Sequence, residues 1–219
     1  MDLSEAVARR RMVRSFSERP LDPAVVDRLL ALALRSPTAG NTRGTAWLVL
    51  TGPETAVYWD HTTTAAWRER SRRWAGLRRA PVIALALASP DAYVARYAEP
   101  DKARAGRAAG DDTGKGPSES DRAPALGSTE AAWPVPYWFG DAAFGAMTLL
   151  LGATAEGLAA CFLGNFRGEP SLLGALGVPH GWRLFGAVLL GHPDGADHPS
   201  ASLARPGQSP AERVHRGRW

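Results

Sequence analysis

The chain has a single cysteine, Cys161, among its 219 residues. One cysteine can form no disulfide within the chain, which excludes the disulfide-stapled secreted class and favours a reducing compartment. The sequence also lacks an uncharged apolar run of the ~20 residues that a membrane span requires. Its first residues are acidic and polar, unlike the apolar stretch of a signal peptide. We therefore expect a cytoplasmic protein with no membrane partner.

Motifs for nucleotide loops, metal centres and nucleophile elbows are absent as well. The sequence contains no G-x-G-x-x-G, no G-x-x-x-x-G-K-[ST] and no H-E-x-x-H, and no G-x-S-x-G. Of the five histidines, only His192 and His198 stand near each other, within a proline-rich turn. Cys161 lies in an apolar run, which favours an inert packed thiol over a nucleophile. We expect no metal site and no nucleophilic side chain.

Charge of one sign is only slightly in excess. There are 26 lysines and arginines against 22 aspartates and glutamates, a net charge of +4 that is carried mostly by arginine. An excess of this size favours an anionic ligand without requiring nucleic acid, and a GC-rich genome explains it equally well. The stretch from Trp67 to Arg79 is the most basic. It predicts a solvated helix, or alternatively a dock for the phosphates of a nicotinamide cofactor or for an acidic partner.

Hydrophobic spacing predicts both helices and strands. Asp22 can cap a helix that opens at Pro23, and the apolar run from Pro81 to Ala88 is typical of a buried strand. The segment from Asp141 to Glu156 is apolar almost all round, which predicts a helix buried by the core or by a second subunit. Because helices and strands alternate unevenly, we expect an α+β or mixed α/β sandwich that forms one domain over residues 1–219.

Residues 99–132 differ from the rest in composition. They are rich in Gly, Ala, Pro, Ser and Asp, and such a segment buries too little apolar surface to order itself. It predicts a flexible excursion within the domain, and long loops of this kind often act as lids. The aromatic run at 133–139 follows directly. It either lines a substrate pocket or anchors the end of the excursion.

Two segments near the N-terminus are suited to a ligand with a phosphate and a flat polar ring. Residues 10–16 read Arg-Arg-Met-Val-Arg-Ser-Phe, and residues 37–44 form a polar turn before a strand-like run. Arginine offers several donors in a fork that matches phosphate, and a nearby cation stabilises negative charge on a reduced ring. A redox cofactor brings its own chemistry, so the usual acid–base motifs are not needed.

The first of these segments resembles the opening signature of the nitroreductase family of FMN-dependent oxidoreductases, roughly R-R-S-x-R-x-F. The resemblance implies that Arg10 contacts the phosphate or ribityl chain and that Arg14 is the cation near the pyrimidine edge. Met12 stands where the family has serine. Arg9 and Arg11 are the neighbours that can compensate for the lost hydroxyl contact.

The second segment is similar to the family's P-S-x-x-N-x-Q-P-W. In the family this turn comes from the other subunit of a dimer and touches the flavin. The positions implied here are Pro37, Thr38, Ala39 and Asn41, with Arg43 in place of glutamine.

Residues 157–166 are similar to the family's G-L-G-x-x-x-I-G-G-F. The resemblance places Leu163, Gly164 and Asn165 by the flavin, with the backbone of the last two facing N5, and close backbone approach favours glycine. Near the C-terminus the family has a basic residue before a proline that holds the phosphate. Arg205 matches this position, with Arg213 and Arg216 as alternatives.

These four segments occur in the family's order. They imply an α+β fold with a mixed β-sheet flanked by helices, in a domain-exchanged homodimer that binds FMN between subunits. The implied activity uses NAD(P)H to reduce a small-molecule acceptor (a nitroaromatic, quinone or enone) in two hydride-transfer half-reactions at one site, with no catalytic side chain. Alternatives are a specialised enzyme of the same fold (a dehalogenase, a flavin-fragmenting enzyme or a biosynthetic dehydrogenase) and a non-catalytic flavin-binding protein.

Overall fold

Ten helices and four strands make up the part of the chain that can be described. The computed structural model describes residues 1–105, 125–198, 200–207 and 209–219. The helices are α1 (Leu3–Arg9), α2 (Pro23–Ala33), α3 (Thr55–Thr62), α4 (Ala65–Arg70), α5 (Trp74–Leu77), α6 (Pro90–Ala98), α7 (Pro100–Ala105), α8 (Tyr137–Ala155), α9 (Glu169–Ala175) and α10 (Pro210–Arg213). The strands are β1 (Thr45–Thr51), β2 (Val82–Ala88), β3 (Ala159–Gly164) and β4 (Arg183–Gly191).

Helix ends follow the predicted local chemistry. The Asp22 carboxylate accepts the N–H of Ala24 at 2.9 Å, so α2 begins at Pro23 as expected. Gly157 follows α8 with φ of +73°, a left-handed conformation that glycine adopts without steric cost.

The strands form one sheet in the order β1-β2-β4-β3. The resemblance implies a mixed sheet, whereas all three pairings among the described residues are antiparallel. Every residue of β2 is buried, which confirms the predicted interior strand. The α+β class is confirmed.

Side chains of the central strands alternate between the two faces of the sheet, and a hydrophobic cluster covers each face. Ile83 and Leu85 point to the cluster that α3 and α9 complete. Val82 and Ala84 point to the other, which α2 and α8 complete. The sheet is therefore the middle layer of the fold.

Helix α8 is buried on one side only within this chain. It begins at Tyr137, four residues before the predicted start at Asp141. Leu149 is fully buried, but Phe144 is 54% exposed and Met147 is 41% exposed. The core of this chain therefore covers one face of α8 and leaves the face with Phe144 and Met147 exposed.

The expectation for the basic stretch is corrected. The basic stretch from Trp67 to Arg79 forms no single helix, because only Arg68 and Arg70 lie in a helix, α4, and the other four arginines flank the short α5. The excursion at 99–132 has ordered ends: α7 lies at its start and a 3-10 turn at Glu130–Ala132 near its end. Residues 106–124 lie outside the described residues. Among the described residues, no helix is both long enough and apolar enough to cross a membrane.

Candidate functional site

The arginine-containing segment runs along the outer edge of β3. After α1 the chain turns at Arg10 and becomes extended. The N–H of Val13 donates to the carbonyl of Ala160 at 3.0 Å. Strand β3 is an edge strand of the sheet. The segment therefore uses backbone groups of β3 that no other strand pairs with.

Met12 faces the sheet. Its sulfur accepts the N–H of Phe162 at 3.4 Å, and its side chain packs against both hydrophobic clusters. The position where the family motif has a hydroxyl is thus occupied by a residue that packs inward. Met12, which the sequence predicts as a site residue, therefore packs against the core of the chain.

The arginines of the segment have different surroundings. Arg11 donates through Nη1 to the carbonyls of Ala8 and Arg10, at 2.7 and 2.9 Å. Arg14 donates through Nη1 to the carbonyl of Met12 at 2.9 Å. Both guanidiniums therefore lie close to the segment's own backbone.

Arg10 differs from its neighbours because its Nη1 is buried and has no hydrogen-bond partner among the residues that the structure describes. The side-chain oxygen of Asn165, in the loop after β3, is likewise buried and without a partner. Nearly all buried polar atoms in folded proteins are hydrogen-bonded. The Nε1 of Trp59 and the Nε of Arg79 are unpaired as well, but only Arg10 and Asn165 belong to the predicted site.

The end of β3 presents backbone and an exposed ring. A Cβ on Gly164 would lie 3.3 Å from the ring of Phe166, and Phe166 itself is 97% exposed. Leu163, the residue before, packs against the core. An aromatic side chain at the surface thus adjoins the predicted flavin-facing backbone.

The turn at residues 37–43 has an unusual backbone. Gly40, Asn41 and Arg43 all have positive φ, at 63°, 54° and 55°. The Oγ1 of Thr38 accepts the N–H of Arg43 at 3.0 Å, and Asn41 accepts from the Nε of Arg43 at 3.3 Å. Left-handed conformations at non-glycine residues are costly and are concentrated at functional sites. Pro37, which opens the turn, is exposed.

Neighbouring elements hold this turn. The N–H of Ala39 donates to Oδ2 of Asp141 on α8 at 2.7 Å, and Arg96 on α6 donates through Nε to the carbonyl of Gly40 at 3.0 Å. The hydroxyl of Tyr93 donates to the same oxygen of Asp141 at 2.7 Å. Burial, and then this hydrogen bond, raise the pKa of Tyr93 far above its usual range.

The turn at 37–43 and the end of β3 lie at one end of the sheet but on opposite edges. Thr45 pairs with Ala88 just after the turn, and Gly164 pairs with Gly186 at the same end. The order β1-β2-β4-β3 puts three strand spacings, roughly 14 Å, between the two edges. One chain therefore does not bring its turn and its arginine segment together.

Arg205 stands apart from both groups. It is exposed and follows a 3-10 turn, where its N–H donates to the carbonyl of Ser202. No hydrogen bond or ion pair of its guanidinium occurs within the described ranges. Residues of the tail that do reach the arginine segment are acidic, since Asp197 accepts the N–H of Arg14 at 3.0 Å.

A cavity of about 470 Å³ lies at the other end of the sheet. Val26 and Leu30 of α2, Val49 of β1 and the pair Arg78–Arg79 are among its lining residues. None of the predicted site residues lines it. The sequence gives no indication of this cavity.

A comparison with protein families decides the identity of the fold. The profile of the Nitroreductase family matches residues 7–113 and 122–192, more than half of the chain. The chain belongs to the nitroreductase family. No curated protein sequence matches it.

Solved nitroreductases share this fold at low sequence identity. CinD of Lactococcus lactis, solved with nicotinic acid, has a TM-score of 0.71 at 15% identity and covers 99% of this chain and 100% of its own. NfnB of Sphingopyxis sp. strain HMH, described as FMN and NADPH-dependent, has a TM-score of 0.65 at 18% identity, with full coverage of both chains. A Desulfovibrio desulfuricans protein solved in complex with FMN has a TM-score of 0.61 at 20% identity, covering 96% and 99%.

Within this nitroreductase fold, sequence reasoning missed the residues that hold the predicted site segments. The helical pattern indicates Asp141 only as a helix start, although a lone carboxylate in an apolar helix signals a buried, paired group. Asp194 and Asp197 gave no signal, because they lie in a polar tail and their partners are distant in sequence.

Proposed function

We propose that this chain binds FMN and uses NAD(P)H to reduce a small-molecule acceptor. The observation that carries the proposal is the buried, unpartnered Nη1 of Arg10, supported by the unpartnered oxygen of Asn165. FMN offers phosphate and ribityl oxygens to a donor, and a ring N–H to an acceptor. The description of NfnB as FMN and NADPH-dependent, and the FMN complex of the Desulfovibrio protein, support this choice.

The edge of β3 would hold the cofactor. Arg10 and Arg11 would bind the phosphate and ribityl oxygens, and Arg14 would be the cation at the pyrimidine edge, where positive charge stabilises a reduced ring. Leu163, Gly164 and Asn165 would lie by the ring. When bound, FMN supplies a group that accepts hydride from a nicotinamide and passes it to an acceptor. The role of this chain's residues is to bind, orient and tune it.

The second half of the site is proposed to come from a second copy of the chain. The turn at 37–43 and the arginine segment lie on opposite edges of the sheet, so a homodimer would complete each site. Exposed apolar side chains support an interface, because large exposed patches mark association sites. They are Leu3, Val7, Leu32, Phe144 and Met147.

Acceptors of the nitroaromatic, quinone or enone class suit a site bordered by Phe166, whose ring is almost fully exposed and offers a face for stacking. A specialised enzyme of the same fold is the second candidate. It is favoured by the inward-packed Met12 and by the left-handed Arg43, both of which depart from the family pattern. The single buried Cys161 supports a cytoplasmic location.

The test starts from the visible absorption spectrum of the purified protein and the cofactor that denaturation releases. We expect stoichiometric FMN, or uptake of added FMN, followed by NAD(P)H oxidation with an acceptor. Arg10→Met should weaken FMN binding. Arg9→Met is the matched control, because Arg9 is exposed and pairs with Glu5. A colourless wild type that takes up no FMN contradicts the proposal, and bound FMN without turnover of simple acceptors favours the specialised enzyme.

A further inference from the structure

We propose that Asp141 is a positioning residue which, with Tyr93 and Arg96, holds the turn at 37–43 in the conformation that receives the flavin. The flavin-related part of this role rests on the proposed function. The mechanical part, that these side chains fix the turn, stands on the contacts of the chain itself.

Asp141 and Arg96 bind backbone groups of two neighbouring residues of the turn from two sides. The carboxylate of Asp141 accepts the N–H of Ala39 at 2.7 Å, and Arg96 donates to the carbonyl of Gly40 at 3.0 Å. One partner is negative and lies on α8, and the other is positive and lies on α6. Together they fix both the position and the direction of the backbone at the middle of the turn.

The turn needs such support because its backbone is strained. Asn41 and Arg43 are left-handed without being glycine, and conformations of this kind persist only where surroundings hold them. Gly40 is closely packed as well, since a Cβ there would lie 2.7 Å from the ring of Tyr97.

Asp141 lies in a buried, apolar environment, where a carboxylate loses its hydration. It is 4% exposed and stands among apolar residues of α8. Burying a carboxylate is unfavourable unless donors compensate for lost water. Two donors converge on its Oδ2, the N–H of Ala39 and the hydroxyl of Tyr93, each at 2.7 Å. The carboxylate thus joins α6, α8 and the turn at one atom.

The ends of the excursion at 99–132 reinforce this arrangement. Asp101 of α7 accepts from both Nη atoms of Arg96 at 2.7 Å, which orients the guanidinium. Directly after its other end, the ring of Trp133 packs edge-on to Tyr97 with centroids 4.7 Å apart and to Tyr93 at 6.0 Å. The described parts of this segment therefore pack behind α6, on which two of the three positioning residues lie.

The test measures the turn directly and the cofactor separately. The variants are Asp141→Ala and Tyr93→Phe, and the control is Tyr58→Phe. Tyr58 is 2% exposed, almost as buried as Tyr93, but belongs to the cluster that α3 and α9 complete, whereas Tyr93 packs in a separate cluster with Trp133 and Trp138. Amide hydrogen exchange of Ala39 is followed without added FMN, and the Kd for FMN is measured by fluorescence quenching. Circular dichroism checks that each variant folds.

We expect Asp141→Ala to speed exchange at Ala39 and to weaken FMN binding, each by about tenfold, as for loss of one hydrogen bond to a charged acceptor. Tyr93→Phe should have a smaller effect of the same sign, and Tyr58→Phe should have none. If Asp141→Ala does not fold, Tyr93→Phe decides.

Two results would overturn the positioning role while leaving the proposed function standing. One is unchanged exchange at Ala39 in a folded variant, and the other is faster exchange with an unchanged Kd for FMN. A wild type that binds no FMN would instead refute the proposed function, and with it the flavin-related part of the role. The exchange rates would still decide whether Asp141 holds the turn.

Discussion

The hydroxyl of Ser15 donates to Oδ2 of Asp194 at 2.6 Å, joining positions 179 residues apart in the sequence. Arg79 pairs with the same oxygen, and the N–H of Ala196 donates to the other at 2.8 Å. These bonds fasten the start of the tail to the segment that carries Arg14. The hydrogen bond from Ser15 is the largest of the interactions that hold the pKa of Asp194 below its usual value.

Asp194→Asn is predicted to lower the free energy of unfolding at pH 7 by about 1–2 kcal/mol, because hydrogen bonds to a charged acceptor are lost. The folded pKa is depressed, so this stabilisation is present above the unfolded value near 3.9 and is lost as pH falls through the folded pKa. Urea denaturation should show a wild-type advantage at pH 7 that shrinks below about pH 4. Asp60→Asn, in the exposed pair with Arg68, should change stability by at most about 0.5 kcal/mol. Equal losses in the two variants would contradict this prediction.

Arg10→Met is predicted to leave the cofactor-free protein as stable as the wild type or more stable. The Nη1 of Arg10 is buried without a partner, and an unsatisfied buried donor costs about 1–3 kcal/mol. Thermal denaturation with and without FMN separates the two effects. The variant should lose the rise in Tm that FMN causes in the wild type, whereas a variant that is destabilised without FMN and still responds to FMN would refute the assignment.

Gly40→Ala and Gly177→Ala form a matched pair. Both glycines are left-handed, with φ of 63° and 66°, but a Cβ meets the Tyr97 ring only at Gly40 and nothing within 4 Å at Gly177. Each variant should lose about 1–2 kcal/mol for the left-handed alanine. Gly40→Ala should lose about 1–3 kcal/mol more from overpacking. Chemical denaturation measures the free energy of unfolding of both variants. Similar losses in the two would contradict the prediction, because they would mean that the Tyr97 ring moves aside without an energetic penalty.

The thiol of Cys161 is predicted to be inert in the folded protein. It is fully buried, and burial raises its pKa to about 11. The thiolate is the reactive form, so a thiol reagent at pH 8 should label none of the native protein and one group per chain in urea. Rapid labelling of the native protein would place Cys161 at an accessible site.

Much of the fold could be predicted because its signals are local. Asp22 and Pro23 start α2, and the short unbroken apolar run of β2 is typical of an interior strand. The parts that hold the site could not be predicted in this way. The bond from Ala39 to Asp141 spans 102 residues, and nothing in the spacing of either segment specifies the other. Local patterns also left open whether α8 is covered by its own chain, because an apolar surface looks the same in sequence whatever buries it.

The turn and the arginine segment lie on opposite edges of the sheet. In the proposed dimer, two different variant chains should therefore be able to complement each other. Each chain would contribute one half to each of two sites. A chain with Arg10→Met keeps an intact turn, and a chain with Asp141→Ala keeps an intact arginine segment. Co-expressing these two variants, each of which binds FMN weakly on its own, should therefore form mixed dimers in which one of the two sites is wild type and fills at low FMN concentration. Activity should return to about half per mixed dimer, a pattern of intersubunit complementation.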